Sequence, residues 1–414
     1  MDTVSQRLDE VIHALACEKI KGNAPQVTSD PLLARLNSLG SEVWVDTGEL
    51  EKAQEIWKVE MSALTTNNTL ANQVVQSGVM DQVIEHTIKK IREEGLELSE
   101  EELVLEVGFV INCKIALRLV QAFKVNVSVE LHPKVSRNIE RTLHYGRRYF
   151  RVCPENFIVK VPLTPEGYLA VRKLNQENIP INFTLGFSAR QNYLAARLSN
   201  PKFVNVFLGR LNQVVIEHEA GTGDQVGEKV ALATQNALID IREKFKEVHS
   251  RLIGASIRNG DQVAFLAGLD ILTIPPKAIS EFQGSGKSVD QVVTHLNKEI
   301  TAGIDVEHRL TKRFPCLWEL TDHFISFVEA LVSQDSLDEM KGEELVTFCR
   351  KYGVNLFHSF SKADLKQIYD RGKIPSLDNW SETIALDDLM TQSALQSFTK
   401  DQNALDDRIR SFIV

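Results

Sequence analysis

The chain has 414 residues, a formal net charge of −9, and 43% hydrophobic against 25% charged residues, a balance that excludes wholesale disorder and leaves room for about two or three domains. The acidic excess argues against a nucleic-acid-binding protein, which needs Lys and Arg gathered on one face, and no apolar run approaches the ~18 residues of a membrane helix. Cys17, Cys113, Cys153, Cys316 and Cys349 are scattered without a CxxC pair, which points to reduced thiols in a cytoplasmic protein rather than to zinc or disulfides.

Residues 1–37 read as an amphipathic helix, MDTVSQRLDEVIHALACEKIKG, too acidic for a signal peptide, and a linker containing Asn23, Ala24 and Pro25. From Val43 to Ile274, eight short β-branched runs follow: VWVDT (43–47), SALTT (62–66), VNVSVE (125–130), FIVKV (157–161), INFTL (181–185), FVNVF (203–207), LIGAS (252–256) and DILTI (270–274). Stretches of helical period separate them, at 71–94, 100–124, 164–178 and 224–249. Thr164-Pro165-Glu166 is a helix start, with a capping hydroxyl, a proline in the first turn and an acid at the positive end of the dipole. Repeated strand–helix units predict a parallel sheet, and eight of them close into an α/β (β/α)8 TIM barrel; a doubly wound open sheet is the alternative from pattern alone.

The expected division is an N-terminal helix and linker (1–37), the barrel (38–300) and an extended helical C-terminal region (301–414). Amphipathic stretches from residue 284 onward are broken near Pro315, Gly353 and Pro375. This extension is longer than barrel closure requires and carries no catalytic motif. Covering the barrel, an oligomer contact such as a homodimer's, or a separate helical domain are its three candidate uses. QGSGKS at 283–288 fails as a P-loop because Glu281 stands where GxxxxGK[ST] needs glycine. EAGTGDQVG at 219–227 reads as a flexible loop before a helix, with proximity to a phosphate left open.

Chemistry in a barrel gathers at the C-terminal strand ends. Lys160 interrupts the apolar strand FIVKV, and burial there disfavours its ammonium and favours the neutral amine that a Schiff base requires; a structural ion pair with Glu130 or Asp46 is the other reading. Asp46 and Glu130, expected on neighbouring strands, supply carboxylates for proton transfer. Asn67 and Asn182 offer neutral amides for sugar hydroxyls. Arg210 and Arg258, with Ser256, sit just past the late strands, where barrels often bind phosphate and guanidinium forks match its oxygens; surface salt bridges are the alternative for each arginine.

In this order the motifs VDTGE (45–49), LTTNNTL (64–70), VSVELHP (127–133), VKVPLTPEG (159–167), NFTLGFS (182–188), NVFLGR (205–210) and ASIRNGDQVAFLAGLDILTIPP (255–276) resemble the transaldolase family of the pentose phosphate pathway. The resemblance implies a Schiff-base lysine at Lys160, a carboxylate working with a bound water at Glu130, an acid/base aspartate at Asp46 and a water-associated hydroxyl at Thr184. Asn67 and Asn182 fall on substrate- or lysine-holding amides, Phe207 on the aromatic of the sixth-strand motif, and Arg210, Ser256 and Arg258 on the phosphate group. It implies no metal or organic cofactor, sugar phosphates as partners, and transfer of a dihydroxyacetone unit from sedoheptulose 7-phosphate or fructose 6-phosphate to an aldose phosphate.

Three departures stand out. Asn68-Thr69 replaces the usual Pro-Ser, Asn205 and Val206 replace Ser and Pro on the acceptor side of the pocket, and the tail beyond about residue 300 is unlike the short family ending. A fructose-6-phosphate aldolase-like lyase, or a sugar-phosphate-binding pseudoenzyme or scaffold, are the rival functions.

Overall fold

A computed structural model describes residues 3–20 and 24–413; Met1, Asp2 and Asn23, which belong to the expected N-terminal helix and linker, lie outside them. Eight parallel strands close into a barrel in sequence order: β1 (Glu42–Asp46), β2 (Met61–Thr65), β3 (Asn126–Glu130), β4 (Phe157–Pro162), β5 (Ile181–Thr184), β6 (Phe203–Phe207), β7 (Arg251–Ala255) and β8 (Ile271–Ile274). Closure by β1 pairing with β8 removes both sheet edges and excludes the doubly wound alternative.

Strand alternation puts Val159 and Val161 of β4 against the surrounding helices while Lys160 faces inward. In register, Glu130 pairs with Lys160 and Lys160 with Asn182, so three polar side chains form one row across β3, β4 and β5. Deeper in the barrel, Trp44 and Phe203 meet edge to face with ring centroids 4.9 Å apart. Both rings are buried and make an apolar layer beneath the polar row.

The helices refine the sequence reading. The stretch expected as one helix over 71–94 is two, Asn68–Gln76 and Asp81–Glu93, broken at Gly78, whose φ of +82° interrupts the helical turn. The linker carries a second helix, Pro31–Ser38, because the Asp30 carboxylate accepts from the amides of Leu32 and Leu33. Thr164 caps Pro165–Gln176 as expected, accepting from Gly167 N at 2.9 Å. Residues 284–321 contain only short 3-10 turns and loops, so the helical part of the tail begins at Asp322–Val332. None of EAGTGDQVG lines the cavity at the barrel mouth; Gly223 N donates to Gly303 O at 2.9 Å and Gly303 N to Asp224 O at 2.7 Å, binding this loop to the tail.

The tail is continuous with the barrel's own core. Its last helix, Leu386–Arg410, lies against Asn68–Gln76 and the long helix Glu100–Phe123, crossing the C-terminal side of the barrel. No helix of the described residues is long and apolar enough to cross a membrane.

Candidate active site

Lys160 is 4% exposed on the barrel floor. Its Nζ donates to the Thr66 carbonyl at 3.1 Å and lies 3.5 Å from Glu130 Oε2, an ion contact longer than a well-formed hydrogen bond. Glu130 is 3% exposed, and neither of its carboxylate oxygens accepts a hydrogen bond among the described residues. Burial pushes its carboxyl up to about 7, while the Lys160 charge pulls the other way. A carboxyl held there exchanges protons at neutral pH.

Asp46 reaches the same floor from β1. It is not on a strand adjacent to that of Glu130, as expected from the sequence, because β2 lies between β1 and β3. The Thr65 hydroxyl donates to Asp46 Oδ1 at 2.6 Å and stands 2.6 Å from Thr273 Oγ1. Thr65 has one proton to give, so Thr273 must donate to Thr65, and a two-hydroxyl chain orients the carboxylate. Burial raises the Asp46 carboxyl, opposed by Lys160, the Thr65 bond and Arg258. Two carboxyls displaced upward thus flank one buried amine.

The amides form a ladder beside it. Asn205 Nδ2 donates to Asn182 Oδ1 at 3.2 Å and to Thr184 Oγ1 at 2.9 Å, and Asn182 Nδ2 donates to Ser128 Oγ at 3.3 Å. Asn205 Oδ1 accepts from Gly186 N at 3.2 Å. A Cβ at Gly186 would stand 2.1 Å from the Asn205 carbonyl, so this approach requires glycine. Asn67 is the N-cap of Asn68–Gln76, its Oδ1 accepting from Leu70 N at 2.9 Å, which spends its oxygen on the helix and leaves its NH2 for the pocket.

At the late-strand side, Arg210 is 6% exposed, yet its Nη1 has no hydrogen-bond partner among the described residues. Burial and the nearby Arg258 guanidinium push Arg210 down to about 10. Arg258 is also lowered by burial, with Asp46 opposing. A Cβ on Gly209 would sit 2.3 Å from the Ser256 carbonyl and 2.5 Å from Arg258 Nε, so glycine is what lets the two loops converge. The buried Arg210 guanidinium, short of a partner, and the exposed Arg258 beside it set two like charges at one wall of the site, an arrangement that an anion would compensate.

Asp46, Asn67, Lys160 and Asn182 line a cavity of about 180 Å³ together with Asn205, Phe207, Arg210, Ser256 and Arg258. Glu130 and Thr184 stand behind that wall, the first against Lys160 and the second under Asn205. All eleven residues expected from the sequence therefore converge on one place.

The sequence reading missed what the tail contributes. Phe398 of the last helix lines the cavity and meets Phe207 edge to face at 6.4 Å, and the Arg210 guanidinium lies 5.9 and 5.7 Å from the two ring centroids. Lys373 also lines the cavity. The altered Asn68-Thr69 pair binds this helix: Asn68 Nδ2 donates to Gln402 Oε1 at 2.9 Å, and the Thr69 hydroxyl donates to Asp401. Arg190 grips Asp387 through two bonds of 2.7 Å, and Thr391 donates to the Leu185 carbonyl at 2.9 Å. The stripe Asp387, Thr391, Leu395, Phe398, Gln402 and Asp406 follows helical spacing and is buried throughout. Polar residues recurring at helical spacing with Leu395 and Phe398 were the available signal.

The sequence profile described as Transaldolase/Fructose-6-phosphate aldolase matches residues 43–314. The chain belongs to that family. Similar proteins named Transaldolase include one from Gloeobacter violaceus, 26% identical over 64% of this chain and 68% of its own length. Another, from Prochlorococcus marinus, is 26% identical over 67% and 82%, and one from Kluyveromyces lactis is 27% identical over 63% and 78%. The matched family region holds the whole barrel floor and its arginines, whereas Lys373 and Phe398 lie beyond it.

Proposed function

We propose that this protein is a transaldolase-type enzyme, moving a dihydroxyacetone unit from a ketose phosphate to an aldose phosphate through a Schiff base on Lys160. The observation that carries the reading is a buried amine 3.5 Å from a carboxyl that burial raises to about 7. Passing a proton from Lys160 to the Glu130 carboxylate yields the neutral amine, which adds to the C2 carbonyl of the ketose while the oxygen takes up a proton. Loss of water with a second proton leaves an iminium.

The Asp46 carboxylate then takes the proton of the C4 hydroxyl. As the C3–C4 bond breaks, its electron pair moves into the iminium, an aldose phosphate departs and an enamine remains on Lys160. A second aldehyde is attacked by that enamine, Asp46 returns the proton, and water releases the new ketose. Glu130 and Thr184 position the water of the two dehydration and hydrolysis steps. Asn67, Asn182 and Asn205 hold hydroxyls, Phe207 packs on the substrate's carbon chain, and Arg210, Ser256 and Arg258 take the phosphate.

A lyase that frees dihydroxyacetone shares every step up to the enamine. The carboxyl of Glu130 favours transfer, because it can hold the water in place while the enamine awaits an aldehyde. Assaying fructose 6-phosphate alone and then with erythrose 4-phosphate separates them: transfer produces little free dihydroxyacetone and much sedoheptulose 7-phosphate only when both are present. Equal dihydroxyacetone release in both mixtures contradicts the transferase reading, and no turnover of any ketose phosphate favours a binding scaffold.

A further inference from the structure

We propose that Lys373, delivered to the barrel mouth by the segment between the barrel and the last helix, is a third cationic contact for the phosphate of the substrate. The inference rests on the sugar-phosphate reading of the site and extends it to a residue outside the matched family region.

The chain as a whole carries a net charge of −9. The cavity inverts that balance: Lys160, Arg210, Arg258 and Lys373 line it beside a single carboxylate, Asp46. Among the described residues, Arg210, Arg258 and Lys373 form no ion pair; for Arg210 this is unusual, because most other buried or half-buried arginines do, as with Arg148 and Glu106, Arg190 and Asp387, and Arg242 and Asp270. Three cations, none within ion-pair distance of a carboxylate and one of them 6% exposed and short of a hydrogen-bond acceptor, line one cavity whose single lining carboxylate, Asp46, does not balance them.

Lys373 is held there by its neighbours. The helix Lys362–Arg371 ends at Gly372, whose φ of +101° turns the chain toward the mouth. Beyond Lys373, Ile374 and Leu377 are buried, and Leu377 N donates to His218 Nε2 at 2.9 Å, while His218 Nδ1 donates to the Val214 carbonyl at 2.8 Å. The Arg313 guanidinium donates to the carbonyls of Leu377 and Ile384. His218 caps the helix Leu208–Glu217, whose first turn carries Arg210. One helix thus positions the buried guanidinium at its start and anchors the lysine-bearing segment at its end.

The burial order assigns the roles. Arg210 lies deep, and Arg258 and Lys373 are exposed at the rim. A dianionic phosphate monoester, with three terminal oxygens, matches three cations better than a carboxylate does, and the ammonium on a flexible stem suits a group that enters and leaves every turnover. Such a contact discriminates phosphorylated from free sugars without touching the reacting carbons.

The test is titration calorimetry with glucitol 6-phosphate, which has no carbonyl and cannot form a Schiff base, and with glucitol itself. Lys373→Ala is expected to weaken glucitol 6-phosphate binding about tenfold at low salt and to flatten its salt dependence. Lys373→Arg is expected to restore most of the affinity, and glucitol binding is expected to be the same in all three proteins. Equal affinity of the unsubstituted and Lys373→Ala proteins for glucitol 6-phosphate, or no binding by the unsubstituted protein, overturns the proposal. Borohydride trapping of unphosphorylated dihydroxyacetone on Lys160, run on both proteins, reports separately on the Schiff-base reading: equal adducts show that the floor is intact, and absence of adduct from both contradicts that reading while the titration still decides the role of Lys373.

Discussion

The side-chain amide of Asn68 donates to Gln402 Oε1 at 2.9 Å, joining the start of the helix after β2 to the last helix across 334 positions of sequence. Gln402 passes the connection on, its Nε2 donating to Asp406 at 2.9 Å, and Asp406 meets His132 beyond β3 at 3.2 Å. Gln402→Ala leaves buried Asn68 and Asp406 groups unsatisfied and is expected to destabilise the fold by about 1–3 kcal/mol. Urea unfolding of Asn68→Ala, Gln402→Ala and the double variant checks it: the two costs should not add, and strict additivity would show that the bond carries no coupling.

Asp46→Asn removes the acceptor for the C4 hydroxyl proton while leaving Lys160 free to condense. The expected result is a fall in kcat of about 10²–10⁴-fold with the Schiff base still formed. Borohydride trapping with fructose 6-phosphate should then capture the intact hexose phosphate, whereas the unsubstituted enzyme yields the triose. A triose adduct in Asp46→Asn would remove this residue from the cleavage step.

Glu130 gives a pH signature of defined sign. Its carboxyl moves from the ordinary value of 4.5 to about 7 on folding, so as pH rises the unfolded chain releases this proton first. The stability it contributes is greatest below about 4.5, declines between about 4.5 and about 7, and is level above. Glu130→Gln is expected to lose that decline in unfolding free energy and to lose the limb near pH 7 from the kcat profile. An unchanged profile in both measurements would show that Glu130 does not titrate there.

Arg210 is costly to bury and forms no ion pair among the described residues, with Asp401 and Glu130 offsetting its burial only in part. Arg210→Met is expected to raise the unfolding free energy by about 1–3 kcal/mol while raising KM for a phosphorylated ketose by about 10–100-fold. Inorganic phosphate should raise the Tm of the unsubstituted protein and not that of Arg210→Met. A variant that is both less stable and unchanged in KM would make Arg210 a structural residue.

The barrel and its floor were legible because both rest on local signals. Eight β-branched runs mark the strands, period-two alternation turns Lys160 inward, and a lone charge in FIVKV stands out against its neighbours. Ser128 was available by the same alternation, two positions before Glu130, but a buried serine carries no charge to draw the eye. Placing Asp46 next to Glu130 failed because the run SALTT at 62–66 supplies β2, which lies between β1 and β3 in a barrel that closes in sequence order.

The roof was not legible. Helical spacing from Asp387 to Asp406 says that a stripe is buried and not what it is buried against, and Lys373 is one exposed lysine among many until Gly372, Leu377 and His218 fix where it points. The replacement of Pro-Ser by Asn68-Thr69 reads in sequence as a change in the rigidity of that loop. In the structure both residues bond to the last helix, so the loss of proline rigidity is offset by contacts 332 and 334 positions away.

The central claim is a covalent bond to one amine. Incubating the protein with fructose 6-phosphate, reducing with borohydride and mapping the product by peptide mass spectrometry should place a reduced triose on the peptide containing Lys160, with none formed by Lys160→Met. An adduct on any other lysine, or turnover that survives Lys160→Met, would contradict the account.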